Sequence, residues 1–276
     1  MPNQLKGMRM QRFSGDVALV TGALSGIGLA TAERLHADGA HILLTDIADS
    51  GDEKVTTILS CFSDRARYLR LDVTSEADWS AANADVAARE GRLDILVHNA
   101  GTSINGYIET IALESWRQVQ AINSDSIFMG TKAFTTLMAS SGASRKGGAS
   151  VVIVSSMLGL VGFSTATPYS ASKGSVRLFA KAAAIEFAAR QMPIRVNSVH
   201  PGFVATPLTL NGLAKIAEET GLPSSASIIE EINKTTPVGR MGDPEEIANT
   251  ITFLCSTEAS YMTGSELVVD GGYTAR

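Results

Sequence analysis

"DVALVTGALSGIGLATAERLHADGAHILLTD", residues 16–46, sets a short apolar run, a glycine-rich turn, an alanine-rich stretch and a second short apolar run in immediate succession. The two runs, Val17 to Val20 and Ile42 to Leu44, have the length and composition of buried strands. The stretch between them carries its apolar residues at helical spacing. This order predicts a strand–turn–helix–strand unit, in which both strands run parallel and the connection crosses over right-handed.

The same alternation continues outward along the chain. "EKVTTILSCF" reads as a helix, "RYLRLDV" as a strand, "EADWSAANADVAAREG" as a helix and "LDILVHNAG" as a strand. A long helical region follows from Leu113 to Met138, then "SVVIVSS", a helix around "YSASKGSVRLFAKAAAIEFAAR", "IRVNSVHPG" and "GSELVVDGG". The expectation is an α/β, Rossmann-like, doubly wound single domain spanning residues 1–276, with a seven-stranded parallel sheet flanked by helices. Residues 1–14 read as an N-terminal arm. Residues 207–236 form the only long irregular stretch, and a connection of that length in a compact domain reads as a substrate lid.

Composition narrows the function classes. With 45% hydrophobic and 18% charged residues the chain is an ordinary globular protein. A net charge of −5 is the wrong sign for a nucleic-acid or anionic-lipid surface. Cys61 and Cys255 are too few for a disulfide framework, and neither stands at metal-ligand spacing from a histidine, so no metal is expected. The opening "MPNQLKGMRMQRF" lacks an apolar core for a signal peptide, and the apolar runs are too short to span a membrane. A cytoplasmic setting is the simplest expectation.

In "TGALSGIG", Thr21 to Gly28, the glycines fall at 22, 26 and 28, a wider first spacing than G-x-G-x-x-G. Such a turn lets backbone approach a pyrophosphate at a helix N-terminus, or it serves packing alone. Asp46 closes the second strand, where a dinucleotide fold places its ribose-binding acid; a helix-capping aspartate is the alternative. In "PYSASK", Tyr169 and Lys173 stand at i and i+4 on one helix face. That pair is either an ordinary solvated face or an acid–base pair.

These segments together resemble the short-chain dehydrogenase/reductase family, from about Gly15 to the end. The matching residues are "TGALSGIG", Asp72–Val73, "HNAG" at 98–101, Asn123, Ser155–Ser156, "YSASK" at 169–173, "HPGFVATP" at 200–207 and "VDGG" at 269–272. Two departures stand out: His98 where the family usually has asparagine, and a longer N-terminus. The resemblance implies that Tyr169 is the catalytic acid/base, Lys173 its partner, Ser156 the hydrogen-bonding group for the substrate oxygen and Asn123 the anchor of a proton-relay water. A free tyrosine titrates near ~10, so it needs a nearby cation to act as a base near neutrality.

The resemblance also implies NAD (NADH) as cofactor. Gly22, Ser25, Gly26, Ile27 and Gly28 would hold the phosphates, and Asp46 the adenosine ribose. Asp72, Val73, Asn99, Ala100 and Gly101 would line the nucleotide cleft. Tyr169, Lys173, Pro201, Gly202, Val204 and Thr206 would surround the nicotinamide half. Leu158, Phe163, Phe203, Leu208 and Leu210 are candidates for an apolar substrate pocket without an arginine cluster to grip a carboxylate or phosphate.

A neutral secondary alcohol and its ketone are therefore expected, as in bacterial secondary-alcohol dehydrogenases and carbonyl reductases. The alternative is a 3-oxoacyl-[acyl-carrier-protein] reductase, although Leu24 and Ser25 stand where such enzymes commonly carry an arginine. A non-catalytic dinucleotide-binding protein is a third reading, opposed by the intact set of four catalytic residues. The family further implies a homotetramer, or a dimer, with no nucleic-acid or membrane partner.

Overall fold

The computed structural model describes residues 11–275. Seven strands, β1 (Val17–Thr21), β2 (His41–Asp46), β3 (Ala66–Arg70), β4 (Ile95–His98), β5 (Ala149–Val154), β6 (Ile194–Pro201) and β7 (Glu266–Val269), form one parallel sheet in the order β3-β2-β1-β4-β5-β6-β7. The helices are α1 (Gly26–Ala37), α2 (Glu53–Ser60), α3 (Glu76–Arg89), α4 (Leu113–Gln120), α5 (Ser126–Ala143), α6 (Thr167–Ala189), α7 (Pro207–Glu219), α8 (Ala226–Thr235) and α9 (Pro244–Cys255). The central strands β1, β4, β5 and β6 bury both faces, which is why β1, β4 and β5 read as apolar runs, while the edge strands β3 and β7 are only partly buried.

The period of two along a strand sorts the core into two layers. Val17 and Leu19 of β1, with Val151 and Ile153 of β5, join Trp79 of α3, Phe134 of α5 and Val176 of α6. Ala18, Val20, Val152 and Val154 point the other way, toward Leu35 of α1 and Ile251 of α9. The chain moves outward from β1 to β3, then returns to β4 on the other side of β1. Loops after β1 and β4 diverge at this switch point and open a crevice at the carboxyl ends of the strands.

Three expectations are corrected. Residues 1–10 of the predicted arm lie outside the described residues, but 11–14 belong to the body. Phe13 is completely buried in the second core layer, and Arg12 pairs with Asp38 at 2.6 Å. The helical region from Leu113 is interrupted by a π-turn at Ala121–Asp125, which no local sequence signal announced. The stretch 207–236 is helical, not irregular: Thr206 Oγ1 caps α7 by accepting from Thr209 N–H, Pro207 takes the first turn, and α8 follows. Leu213, Ile232 and Met241 give this pair its own small core, apart from the two sheet layers, so its apolar pattern answers to no strand.

Candidate active site

A cleft of about 740 Å³ lies along the switch point. Every cofactor-binding candidate except Gly28 borders it, as do Ser156, Tyr169 and Lys173. At one end Gly22 (φ +64°) and Gly26 (φ +54°) take left-handed conformations in the turn after β1. Ser25, the N-cap of α1, makes no side-chain hydrogen bond to the helix, which leaves the first-turn N–H groups to a ligand. Gly28 stands behind the turn. A Cβ there would overlap Gly22 O and Asn99 Nδ2, so its glycine is required by close packing.

Asn99 ties the two diverging loops together. Its Nδ2 donates to Thr21 O (2.9 Å) and Gly22 O (3.2 Å), and the N–H groups of Asn99 and Ala100 both donate to Thr21 Oγ1 at 3.0 Å. Asp46, at the end of β2, accepts from Ile47 N–H at 2.8 Å and from Leu24 N–H at 3.4 Å. Its carboxylate is thereby fixed at the cleft wall beside the glycine turn. Asp72 accepts from the N–H and hydroxyl of Thr74, which orders the loop after β3.

At the other end α6 carries Tyr169 and Lys173 one turn apart. Burial pushes the Tyr169 hydroxyl above the ordinary tyrosine range, and the neighbouring Ser156 hydroxyl acts against that. Ser156 Oγ accepts from Leu158 N–H at 3.1 Å. Lys173 is buried, with Nζ 5.6 Å from the centre of the Tyr169 ring, and donates to Val154 O at 2.9 Å. Desolvation lowers its ammonium to about 8. Ser155, by contrast, is a strand-end hydroxyl satisfied by Lys173 O at 2.9 Å.

Asn123 lies in the π-turn, fully buried behind the cleft. Its Oδ1 accepts from Thr102 N–H (2.9 Å), and its Nδ2 donates to Thr102 O (2.8 Å) and Ser172 Oγ (3.0 Å). These bonds join the loop after β4 to α6. A Cβ on Gly101 would lie 3.4 Å from Asn123 Oδ1 and 3.6 Å from Lys173 Nζ, so the three residues meet at one point. Such π-turns often occur at functional sites, because they re-aim backbone and side chain by one position.

This constellation sits on a chain whose relatives share its length. A family model described as enoyl-(acyl carrier protein) reductase matches residues 22–274. The cyclopentanol dehydrogenase of a Comamonas species is 40% identical over 96% of this chain and 100% of its own length. The NADP-dependent (R)-specific alcohol dehydrogenase of Lentilactobacillus kefiri is 36% identical over 96% of this chain and 99% of its own. The chain belongs to the short-chain dehydrogenase/reductase family. It is an oxidoreductase, and the family works with a nicotinamide dinucleotide. Among solved structures, the aldohexose dehydrogenase of Thermoplasma acidophilum superposes with a TM-score of 0.83 at 30% identity, covering 97% of both chains.

As a short-chain dehydrogenase/reductase this chain departs at His98, and the structure shows how that is absorbed. The β4–β5 ladder runs through His98 opposite Ile153, and His98 Nε2 lies 3.1 Å from Thr131 Oγ1. The ring packs edge-on against Trp79 at 5.9 Å, over Gly130, where any Cβ would sit 2.6 Å from both rings. Burial pushes the imidazole down to about 3. The folded value lies below the ordinary value of about 6.5, so between the two the unfolded chain binds the extra proton. Stability should therefore fall with pH across that window, by up to about 1.4 kcal/mol per pH unit from this group. His98→Asn should flatten the slope of melting temperature against pH between about 6.5 and about 3. An unchanged slope would remove His98 from the acid sensitivity.

Two participants escaped the sequence reading as site residues. His200, fully buried on β6, places Nδ1 3.1 Å from Ser156 O and Nε2 2.9 Å from Ser198 Oγ, supporting the loop that carries Ser156. The "HPG" motif contained it, but only the β5–β6 register shows what the imidazole reaches. Arg70 at the end of β3 is the Cα partner of Asp46.

Of the apolar pocket candidates, Leu208 borders the cleft, while Leu158, Phe163, Phe203 and Leu210 stand outside its lining. Phe163 and Phe203 meet edge-on at 6.1 Å, and Phe203 meets Tyr273 at 5.7 Å. That aromatic row draws on Tyr273, just beyond the "VDGG" motif, which the sequence alone gave no role.

Proposed function

We propose that this chain exchanges a hydride between NAD(H) and a neutral, apolar secondary alcohol or its ketone. The carrying observation is the placing of Tyr169 beside Ser156, one helical turn from a buried lysine, on a cleft whose far wall bears Asp46. When bound, the nicotinamide supplies the hydride donor or acceptor. The turn at Gly22 and Gly26 with the first turn of α1 would hold the phosphates, Gly28 supporting that turn from behind, and Asp46 would accept hydrogen bonds from the adenosine ribose.

The chain's own groups do the rest. Ser156 Oγ has one lone pair engaged by Leu158 N–H, so its hydrogen is free to point at a substrate oxygen. Tyr169 donates its phenolic proton to that oxygen during ketone reduction and receives it back during alcohol oxidation. Lys173 spends one of its three donors on Val154 O and keeps two for ribose hydroxyls. Its positive charge stabilises tyrosinate, which burial alone disfavours. Asn123 would hold the proton-relay water beside Lys173. Leu208 and the absence of an arginine from the cleft lining favour a neutral apolar substrate.

The same reading makes the chain a homotetramer. Exposed Phe128 on α5 and Leu178 and Ile185 on α6 support subunit contacts along those helices. Among the described residues no helix is long and apolar enough to cross a membrane.

A coupled assay over aliphatic, cyclic, aromatic and steroid secondary alcohols, with an acyl-carrier thioester beside them, tests the proposal. Turnover of the alcohols is expected, with NAD(H) favoured over NADP(H). Because ketone reduction takes up the proton that Tyr169 delivers and alcohol oxidation releases one, the balance should move from reduction toward oxidation as pH rises. Turnover confined to the thioester, or a preference for NADPH, would defeat the substrate or the cofactor half respectively.

A further inference from the structure

Asp46 lies directly opposite Arg70 in the parallel β2–β3 pair. Paired residues on neighbouring parallel strands project to the same side of the sheet, with backbones about 4.8 Å apart. No arginine or lysine stands beside Asp46 in "LLTDIADSGDE" to relieve a negative charge placed there, since every charged residue in that stretch is an acid. Across the sheet the situation differs. The Tyr68 hydroxyl donates to the carbonyls of Asp46 (2.9 Å) and Ala48 (2.6 Å), fastening the loop after β2 to β3 and fixing Asp46 relative to Arg70. Burial first, then the Asp46 carboxylate, pushes the Tyr68 phenol up to about 12, and Arg70 acts against them; both charges therefore reach the same spot.

The present partners of Arg70 hold it loosely. Its Nε lies 3.2 Å from Asp49 Oδ1 and its Nη1 lies 3.4 Å from Asp78 Oδ2, with the arginine half-exposed and Asp49 90% exposed. Long pairs in water contribute little. Asp78 does not depend on the arginine either, because it accepts from Asp72 N–H at 3.0 Å and Ser75 Oγ at 2.8 Å. Turning the guanidinium toward a phosphate would orphan no buried group. A phosphate dianion would offer it a bidentate, charge-assisted partner instead.

We propose that Arg70 is a second determinant of cofactor choice, a latent ligand for the 2′-phosphate of NADP(H) that Asp46 normally keeps out of use. This inference rests on the assignment of Asp46 to the adenosine ribose. In the native chain the carboxylate repels the phosphate and NAD(H) is preferred; without it, Arg70 captures the phosphate.

Calorimetric dissociation constants for NADP+ and NAD+ on the wild type, Asp46→Ser, Arg70→Gln and the double variant test it, with melting curves to confirm folding. Asp46→Ser should shift affinity toward NADP+ by about 100-fold. The double variant should surrender at least about tenfold of that gain. Arg70→Gln alone, with Asp46 still in place, should leave the ratio of NADP+ to NAD+ affinity within about twofold of the wild type. A double variant that keeps the whole gain overturns the role of Arg70 and leaves the NAD(H) reading intact. A wild type that prefers NADP+ overturns the NAD(H) reading instead; Arg70 is then supported if Arg70→Gln removes the preference and refuted if it does not.

Discussion

Replacing Tyr169 with phenylalanine should cut turnover by about 10²–10⁴-fold while nucleotide affinity stays nearly unchanged. The substitution removes one oxygen, the only group on that side chain able to give or take a proton, and keeps the ring that packs beside Lys173. Ser156 cannot take over, because a serine hydroxyl is too weak an acid and too weak a base at neutral pH without an activating partner. Lys173→Met makes the informative contrast. It removes the charge that supports tyrosinate, and it leaves Val154 O without its buried donor, a loss of about 1–3 kcal/mol in stability. That variant should lose activity, nucleotide affinity and melting temperature together. Steady-state rates with parallel calorimetry separate the two, and a phenylalanine variant with substantial turnover would end the assignment of Tyr169 as acid/base.

Gly28→Ala should cripple nucleotide binding although Gly28 touches no part of the cleft. The new methyl would collide with Gly22 O and with Asn99 Nδ2, the amide that holds Gly22 and Thr21 in place. Neither neighbour can yield without moving the turn whose left-handed Gly22 and Gly26 shape the phosphate cradle. Overpacking of this kind costs about 1–3 kcal/mol, and the same displacement should raise the dissociation constant for the nucleotide about 10–100-fold. Gly212→Ala on α7, where an added Cβ meets nothing within 4 Å, serves as the control and should lose neither stability nor affinity. Wild-type affinity in Gly28→Ala would mean that the turn after β1 is a packing device and not a phosphate site.

Much of this molecule was determined locally. The central strands are buried on both faces and the helices that cover them on one, so a window of a few residues already carries the period that its burial imposes. Val17–Val20, the glycine turn and Ile42–Leu44 therefore dictated a parallel α/β layer, and the i, i+4 spacing of Tyr169 and Lys173 put both on one helix face. The spacing marked all three glycines alike; only the turn packed against Asn99 separates the two that need left-handed backbone from the one that needs contact.

What the sequence could not show is where remote segments come to rest. Phe13 looked like part of an arm, since a lone aromatic beside charges has no period, yet it fills a space between helices that exists only after the sheet closes. The π-turn at Asn123 costs nothing visible in composition, because one inserted residue shifts hydrogen bonds and not residue types. Strand register did the rest. Setting β3 against β2 brought Arg70 opposite Asp46, and setting β6 beside β5 brought His200 against Ser156 O. Each pairing closes a loop of 24 or 44 residues, and local chemistry carries no record of such a closure; only the packed sheet, with one hydrogen-bond register satisfied along its whole width, decides it.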